Sequence, residues 1–283
     1  MFYQSIFIGP LAFHITSENE LSFLADSMED FLHPLPLRLT SYDVQIRFVD
    51  EQEFDGRPVY FGEGFDVYMD GRVEHRYYHH EIDGSKCYYM HNSLVGHNIT
   101  IEFYRGITTL GRALDIWRFL FLEKLLLEHD GLILHSSSVL YHDSALLFTA
   151  PSGTGKSTQA DLWKKYAGAE GLNGDRNILI RMGDTWYCCG LPWHGSSPDC
   201  RNARAEILCI CMIRQYPEDQ VVAMSAMSKI KYLYSEVTKN SWDAAFVEKA
   251  FTLLESLVTG VKMVQLNCTL YPSAVECLKK EIW

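Results

Sequence analysis

The segment that most restricts the fold of this chain is the run from Pro151 to Thr158, which reads PSGTGKST. A short apolar stretch, Ala145 to Thr149, precedes it, and Gln159 to Tyr166 continues it with a helical pattern. A buried strand, a glycine-containing loop and a helix in this order are typical of a loop that wraps a phosphate group. An ordinary glycine-rich turn is the alternative, but a chance match of this quality in this setting is rare. The segment therefore predicts nucleotide binding by an α/β domain.

Each position of the loop has a chemical role in that prediction. Glycines let backbone N–H groups turn towards an anion, and the start of the following helix adds partial positive charge. Lys156 would contact the β- and γ-phosphates, and Ser157 would bind Mg²⁺. The complete pattern G-x-x-x-x-G-K-[ST] requires glycine at position 150, where this chain has Ala150. The predicted nucleotide-binding residues are Ser152, Gly153, Thr154, Gly155, Lys156, Ser157 and Thr158.

A carboxylate for the same site follows a turn at Gly171. The run Leu172 to Arg176 reads LNGDR and leads into an apolar strand, Asn177 to Arg181. That strand would bring Asp175 to the edge of the sheet, where it could bind Mg²⁺ or accept a proton from a hydroxyl group. The alternative is that Asp175 only caps the turn.

Composition excludes several classes of protein. The chain has 283 residues, of which 47% are hydrophobic and 22% are charged, so it can bury a core and is neither disordered nor fibrous. Its 25 basic against 36 acidic residues give a net charge of −11 without a basic cluster. This balance argues against nucleic acid and anionic membrane as partners. No apolar run reaches ~18 residues and Met1 is not followed by a basic leader, so we expect a cytoplasmic protein.

The cysteines predict no metal or disulfide framework. The chain has eight and none forms a C-x-x-C pair. Reduced, mostly buried thiols are therefore expected.

The first hundred residues are rich in Tyr, Phe, Val and Ile and contain Asp-Gly turns, which predicts antiparallel strands and hairpins. A helix is expected from Glu18 to Phe31. The predicted strands of a meander are Pro58 to Tyr68, Arg72 to Glu81, Lys86 to Met90 and Asn98 to Tyr104. Histidines in this region suggest a metal site, but the adjacent His79 and His80 would point to opposite faces of a strand, which favours separate structural roles.

Helical periodicity begins at Leu110 and continues to Glu128, and strand Leu132 to Leu140 follows Gly131. Further helical patterns in the C-terminal third offer packing but no recognisable chemistry: Lys229 to Thr238, Trp242 to Val258 and Ser273 to Lys280. We therefore predict a β-rich N-terminal domain over residues 1–108, which would recognise an acceptor, and a nucleotide-binding catalytic domain over residues 109–283.

Four segments together resemble the catalytic domain of the HPr kinase/phosphorylase family, which belongs to the phosphoenolpyruvate-carboxykinase-like P-loop kinases. These segments are Leu134 to Val139 (LHSSSV), Ser152 to Thr158 (SGTGKST), Asn173 to Arg176 (NGDR) and Leu191 to Gly195 (LPWHG). The resemblance extends over roughly Leu110 to Leu266. It implies a mixed α/β (α+β) kinase domain that uses ATP or GTP and Mg²⁺.

The resemblance also implies roles for individual residues. His135 would lie near the phosphates, although a histidine bonded to backbone within a strand is the alternative. Asp175 would match the second member of the family's Asp-Asp pair, and Gly174 replaces the first, so one carboxylate of the pair is missing. Arg201 and Arg204 could stabilise the charge on the transferred phosphoryl group, unless they are ordinary surface arginines.

Three functions compete at this point. The first is a kinase that phosphorylates the hydroxyl group of Ser or Thr in a protein or peptide. The second is a nucleotide-binding regulatory protein without transfer activity, as the missing carboxylate suggests. The third is phosphorylation of a small molecule, or reverse phosphorolysis, on the same fold. The sequence leaves the acceptor, the choice of ATP or GTP, and homo-oligomer formation open.

Overall fold

The structure is a computed structural model, and it describes residues 1–18, 26–51, 53–105, 119–193, 195 and 197–282. The chain forms two compact units. The first comprises Met1–Pro34 and Arg38–Leu122, and the second comprises Leu35–Leu37 and Glu123–Trp283. No helix in the described part of the chain is both long and apolar enough to cross a bilayer.

The first unit contains an eight-stranded sheet in the order β1-β2-β3-β8-β7-β6-β5-β4. Its strands are β1 (Phe2–Ile8), β2 (Leu11–Ser17), β3 (Thr40–Val49), β4 (Arg57–Phe61), β5 (Phe65–Asp70), β6 (Val73–Ile82), β7 (Ser85–Val95) and β8 (Asn98–Tyr104). Strand β3 shows why these segments are strands, because buried Tyr42, Val44 and Ile46 alternate with exposed neighbours. This period of two places one face of the strand in the core.

The predicted meander is present as β5 to β8, with antiparallel neighbours throughout. Two details differ from the prediction. The segment Pro58 to Tyr68 contains two strands, β4 and β5, and β3 pairs in parallel with both β2 and β8. Of the predicted helix Glu18 to Phe31, residues 19–25 lie outside the described part, and Asp26–Leu32 form a 3₁₀ helix.

The histidines of this sheet do not gather around one point. His79 is buried beside Asp66, whereas His80 is exposed and stacks on Tyr89. His75 and His91 are within hydrogen-bond distance, at 3.0 Å between ring nitrogens. Among the described residues, no group of three or more His, Cys, Asp or Glu side chains could hold a metal ion.

The second unit is a mixed α/β arrangement, compatible with the α+β fold that the sequence predicts. Its strands are β9 (Gly131–Tyr141), β10 (Ser144–Thr149), β11 (Glu170–Asn173), β12 (Arg176–Met182), β13 (Thr185–Cys189), β14 (Arg204–Gln215), β15 (Gln220–Val222) and β16 (Met263–Cys268). Its helices are α1 (Leu122–Glu128), α2 (Lys156–Ala167), α3 (Ala226–Glu236), α4 (Ala244–Gly260) and α5 (Ser273–Ile282). The start of the predicted helix Leu110 to Glu128 lies in residues 106–118, outside the described part.

Strand pairing in this unit closes on itself. Strand β10 pairs with β9 on one side and with β14 on the other, and β9, β12, β13 and β14 pair in succession. Five strands thus form a closed ring. Strands β16 and β15 extend the sheet beyond β14.

Two hydrophobic clusters hold the helices against this sheet. One joins helices α3 and α4 to the sheet through residues such as Leu233, Phe246 and Leu257. The other packs α2 and α5 through Trp163 and Leu278. Six of the eight cysteines are buried, two are half-buried and none forms a disulfide, as predicted. Burial raises the pKa of the Cys189 thiol to about 12, so it stays protonated.

Candidate functional site

The glycine-rich loop begins where the buried strand β10 ends. Gly153 and Gly155 have φ angles of +78° and +108°, a region that side chains with a Cβ rarely adopt. Helix α2 starts at Lys156, so its free N–H groups lie at the end of the loop. This backbone can surround an anion. Ala150, where the pattern requires glycine, is completely buried and does not have a positive φ, so an alanine fits.

The lysine of the loop is folded back onto the loop itself. Its Nζ atom donates hydrogen bonds to the carbonyl oxygens of Ala150, at 2.8 Å, and Pro151, at 3.4 Å. Lys156 is only 7% exposed, and burial lowers the pKa of its ammonium group. The remaining predicted loop residues include exposed Ser152 and Thr158, half-buried Ser157, and Thr154, whose carbonyl oxygen accepts a hydrogen bond from Gln215.

His135 lies between two carboxylates. Its Nδ1 atom is 3.1 Å from Oε2 of Glu236, and its Nε2 atom is 3.7 Å from Oδ1 of Asp175. Burial, followed by the positive charges of Lys156 and Arg176, lowers the pKa of the imidazole, whereas Glu236 and Asp175 act in the opposite direction. The ring is therefore neutral at neutral pH. With Nδ1–H donating to Glu236, Nε2 keeps its lone pair on the side of Asp175.

The strand order explains how these groups meet. His135 on β9 is paired with Arg176, the first residue of β12, and Asp175 precedes that strand directly. Glu236 ends helix α3. Arg176 places its Nε 3.7 Å from Asp175 and donates from Nη1 to Thr238.

Ser137 connects the loop to the turn that carries Asp175. Its hydroxyl is 3.4 Å from that of Ser157 and donates to the carbonyl oxygen of Gly174 at 2.9 Å. Ser137 therefore links Ser157 to the residue before Asp175, and Ser157 and Asp175 are the two residues predicted to bind Mg²⁺. The sequence alone did not single out Ser137, because serines are common within strands. Its place in the LHSSSV segment, one of the four that carry the family resemblance, was the signal that could have identified it.

Asn173 fixes the turn itself. Its Oδ1 accepts from the backbone N–H groups of Asp175 and Arg176, and its Nδ2 donates to the carbonyls of Leu191 and Trp193. Asn173 therefore joins the Asn173 to Arg176 turn to Leu191 and Trp193. The described residue Gly195 lies against Asp175, because a Cβ there would be 3.3 Å from the Cβ of Asp175. His194 lies outside the described residues.

The structure does not bring the two predicted arginines to the loop. Arg204 begins β14, eight residues before Met212, which pairs with Thr149 at the start of the loop. This is about 25 Å along a strand, and its guanidinium lies over the ring of Tyr187. Arg201 donates to Glu170 at 2.6 Å, at the far end of β11 from Asp175. Arg201 is exposed and Arg204 is half-buried, whereas Arg176 lies beside Asp175.

Sequence reasoning also missed Glu236. The helix Lys229 to Thr238 was expected to provide packing without chemistry, but its last acidic residue contacts His135. The two residues are 101 positions apart, so spacing could not connect them.

Comparisons with known proteins add a distant structural neighbour. No model of a protein family and no curated protein matches the chain. Among solved structures, the HPr(Ser) kinase/phosphatase from Coxiella burnetii is a neighbour, with a TM-score of 0.31 and 9% sequence identity. The match covers 53% of this chain and 95% of that chain.

Proposed function

We propose that the chain is an HPr kinase-like P-loop kinase that transfers the γ-phosphoryl group of ATP or GTP to a hydroxyl group. The observation that carries this proposal is the position of His135 between Glu236 and Asp175, where the positive charge of Lys156 also acts on its ring. Phosphoryl transfer needs little more than an anion-binding loop, a metal ligand and an acceptor for the hydroxyl proton. The chain offers a residue for each.

The sequence assigned two alternative tasks to Asp175, which are binding of Mg²⁺ and acceptance of the hydroxyl proton. In this proposal Asp175 would perform the first and the His135–Glu236 pair the second. Nε2 of His135 would accept the proton of the attacking hydroxyl, and Glu236 would stabilise the imidazolium that results. Asp175 would then be free to bind the metal. The attacking oxygen forms its bond to the γ-phosphorus as the bond to the β-γ bridging oxygen breaks, and the proton passes to His135.

The donors that face the loop suit Mg²⁺. The hydroxyl of Ser157 and the carboxylate of Asp175 are hard oxygen ligands, and Ser137 contacts Ser157 and the residue before Asp175. These two residues would hold the ion. When bound, Mg²⁺ neutralises charge on the β- and γ-phosphates.

Lys156 would change partners when a nucleotide binds. Its ammonium group now donates to the carbonyls of Ala150 and Pro151. The same group would swing to the β- and γ-phosphates, while the loop N–H groups bind the phosphate oxygens. Arg176, beside Asp175, would stabilise the equatorial charge of the transferred group in place of Arg201 and Arg204.

The acceptor would be Ser or Thr in a protein or peptide, recognised by the N-terminal domain. The test is incubation of the purified full-length chain with [γ-³²P]ATP, then with [γ-³²P]GTP, in the presence of Mg²⁺, a peptide library and small-molecule alcohols. Labelled phosphoserine or phosphothreonine supports the proposal. Label on a small molecule would support kinase activity and contradict the assignment of a peptide acceptor.

A nucleotide-binding regulatory protein is the second candidate, and one observation favours it. Position 174, which bears a carboxylate in the resembled family, has no room for a side chain because Ser197 lies against it. The regulatory function would be supported if the chain bound nucleotide tightly but neither transferred the γ-phosphate to any acceptor nor hydrolysed it.

A further inference from the structure

Three neighbouring strands end at the same edge of the sheet as the loop. Strands β10, β14 and β16 are parallel to one another and end at Thr149, Gln215 and Cys268. The chain continues from them as the glycine-rich loop, as residues 216–219 and as residues 269–272. Ligands of such sheets bind outside the carboxyl ends of the strands. A nucleotide on the loop would therefore extend over one of the neighbouring connections.

Direct hydrogen bonds join the end of β14 to the loop and the connection after β16 to helix α2. Nε2 of Gln215 donates to the carbonyl oxygen of Thr154 at 3.2 Å. Nε2 of Gln159, in the first turn of α2, donates to the carbonyl oxygen of Thr269 at 2.9 Å. The second connection is held by Asp219, which accepts from the backbone N–H of Thr269 at 2.7 Å. The two connections thus form a fixed rim beside the loop.

The rim lies on the opposite side of β10 from the reactive groups. His135 lies on β9, which pairs with β10 on one side, and Asp175 directly precedes β12, which pairs with β9. Strand β14 pairs with β10 on the other side, and β16 pairs with β14. The terminal phosphate must face His135 and Asp175 if transfer occurs there. The nucleoside then extends towards β14 and β16.

Large exposed side chains stand on this rim. Tyr216 is 47% exposed, Leu270 60% and Tyr271 69%. Tyr216 directly follows Gln215 and Leu270 directly follows Thr269, and the backbone N–H of Tyr271 donates to Oγ1 of Thr269 at 3.3 Å. Exposed aromatic rings next to a nucleotide loop offer flat apolar surfaces, and a nucleobase stacks on such rings regardless of its hydrogen-bonding edge.

We propose that Tyr271 and Tyr216 form the base subsite, where the purine of the donor nucleotide packs against the rim. This inference rests on the proposed function, because it assumes that the loop binds the triphosphate. Stacking without a fixed hydrogen-bond partner would allow both adenine and guanine. The subsite would therefore increase affinity for nucleotides over inorganic polyphosphate.

The test compares MgATP and magnesium tripolyphosphate by calorimetric titration of the full-length chain. Tripolyphosphate keeps the phosphates and lacks the nucleoside, so the ratio of the two affinities isolates the contribution of the base. The variants are Tyr271→Ala, Tyr216→Ala and the conservative Tyr271→Phe. Tyr166→Ala is the matched control, because Tyr166 is also an exposed tyrosine of this unit, at 45%, but lies ten residues along α2 from Lys156.

We expect each alanine variant at the rim to bind MgATP about 5- to 100-fold more weakly and tripolyphosphate as the wild type does. Tyr271→Phe and Tyr166→Ala should keep the wild-type ratio. Unchanged MgATP affinity in both rim variants would overturn the base subsite, as would equal affinity of the wild type for the two ligands. If the wild type bound neither ligand, the loop assignment itself would be wrong, and the inference with it.

Discussion

Ser197 occupies the space into which a side chain at Gly174 would project: a Cβ on Gly174 would lie 2.6 Å from the Cβ of Ser197. Non-bonded carbon atoms do not approach so closely. The backbone N–H of Gly174 also donates to the carbonyl oxygen of Asp199 at 3.1 Å, which fixes the turn at this distance. The glycine is thus part of how the turn packs, and any side chain at position 174 would collide with Ser197 in this arrangement.

Gly174→Ala should destabilise the chain by roughly 1–3 kcal/mol, because the new methyl group overpacks a closely packed turn. Urea unfolding measures the free energy. In a Ser197→Gly background the same substitution should cost much less, since the opposing Cβ is gone. Equal costs in the two backgrounds would show that the contact with Ser197 is not the cause.

Lys156→Ala should weaken MgATP binding roughly 10- to 100-fold, because the variant loses charge-assisted hydrogen bonds to the phosphates. Calorimetric titration provides the dissociation constant. Lys165→Ala, which removes an exposed lysine from the same helix, is the control. Because Lys156 is buried, the thermal stability of the variant is measured beside the titration to show that it is folded. A folded variant that binds MgATP with wild-type affinity would contradict the assignment of a phosphate-binding loop.

Asp175→Asn should separate binding from turnover. MgATP would still bind through Lys156 and the loop amides, whereas single-turnover transfer should slow by roughly 10²- to 10⁴-fold, because the proposed metal ligand is lost and with it several kcal/mol of charge stabilisation in the transition state. Asp161→Asn, an exposed acid of α2, provides the comparison. Wild-type turnover in Asp175→Asn would remove this residue from the mechanism. An increase in the Mg²⁺ concentration needed for half-maximal rate would indicate its role as a metal ligand.

The transfer rate should fall as pH falls. Burial above all lowers the pKa of His135, so the imidazole is neutral above that value and loses its ability to accept a proton below it. The acidic limb of the pH–rate profile is therefore expected below the ordinary histidine value of about 6.5.

Glu236→Gln should move that limb further down in pH and lower the plateau rate. The hydrogen bond to Glu236 raises the pKa of His135, so its loss lowers the pKa, and the imidazolium also loses its stabilising charge. The pH–rate profile from pH 4.5 to 8 measures both effects. Glu248→Gln, an exposed acid of α4, should leave the profile unchanged. A lower plateau with an unmoved limb would mean that Glu236 only supports the fold.

The division of labour between the two domains remains a prediction. A chain that begins at residue 108 should retain MgATP affinity, because every residue assigned to the triphosphate follows that position. Its folding is checked by circular dichroism before titration. A folded truncation without nucleotide affinity would show that the first domain contributes to nucleotide binding.

Features that depend on residues adjacent in the sequence could be predicted. The strand, loop and helix around Lys156 follow one another directly, and their glycines, lysine and hydroxyls define local geometry. The contact of His135 with Glu236 was not readable, because it depends on how helix α3 packs against β9. The Tyr, Phe, Val and Ile content of the first hundred residues predicted strands there but carried no information on the direction of their neighbours, and β3 is parallel to both of its neighbours.

The closed ring of five strands sets the order in which the site can assemble during synthesis. Strand β10 leads into the loop, but its second neighbour, β14, begins at Arg204, 55 residues after Thr149. Until Gln215 has left the ribosome, strand β10 of a nascent chain can pair only with β9, and β16 is synthesised still later. Such non-local pairing is slow to form. If the loop binds a nucleotide as proposed, its affinity should therefore appear only after β14 has been synthesised, and a truncated product that carries the complete SGTGKST motif should not bind the nucleotide.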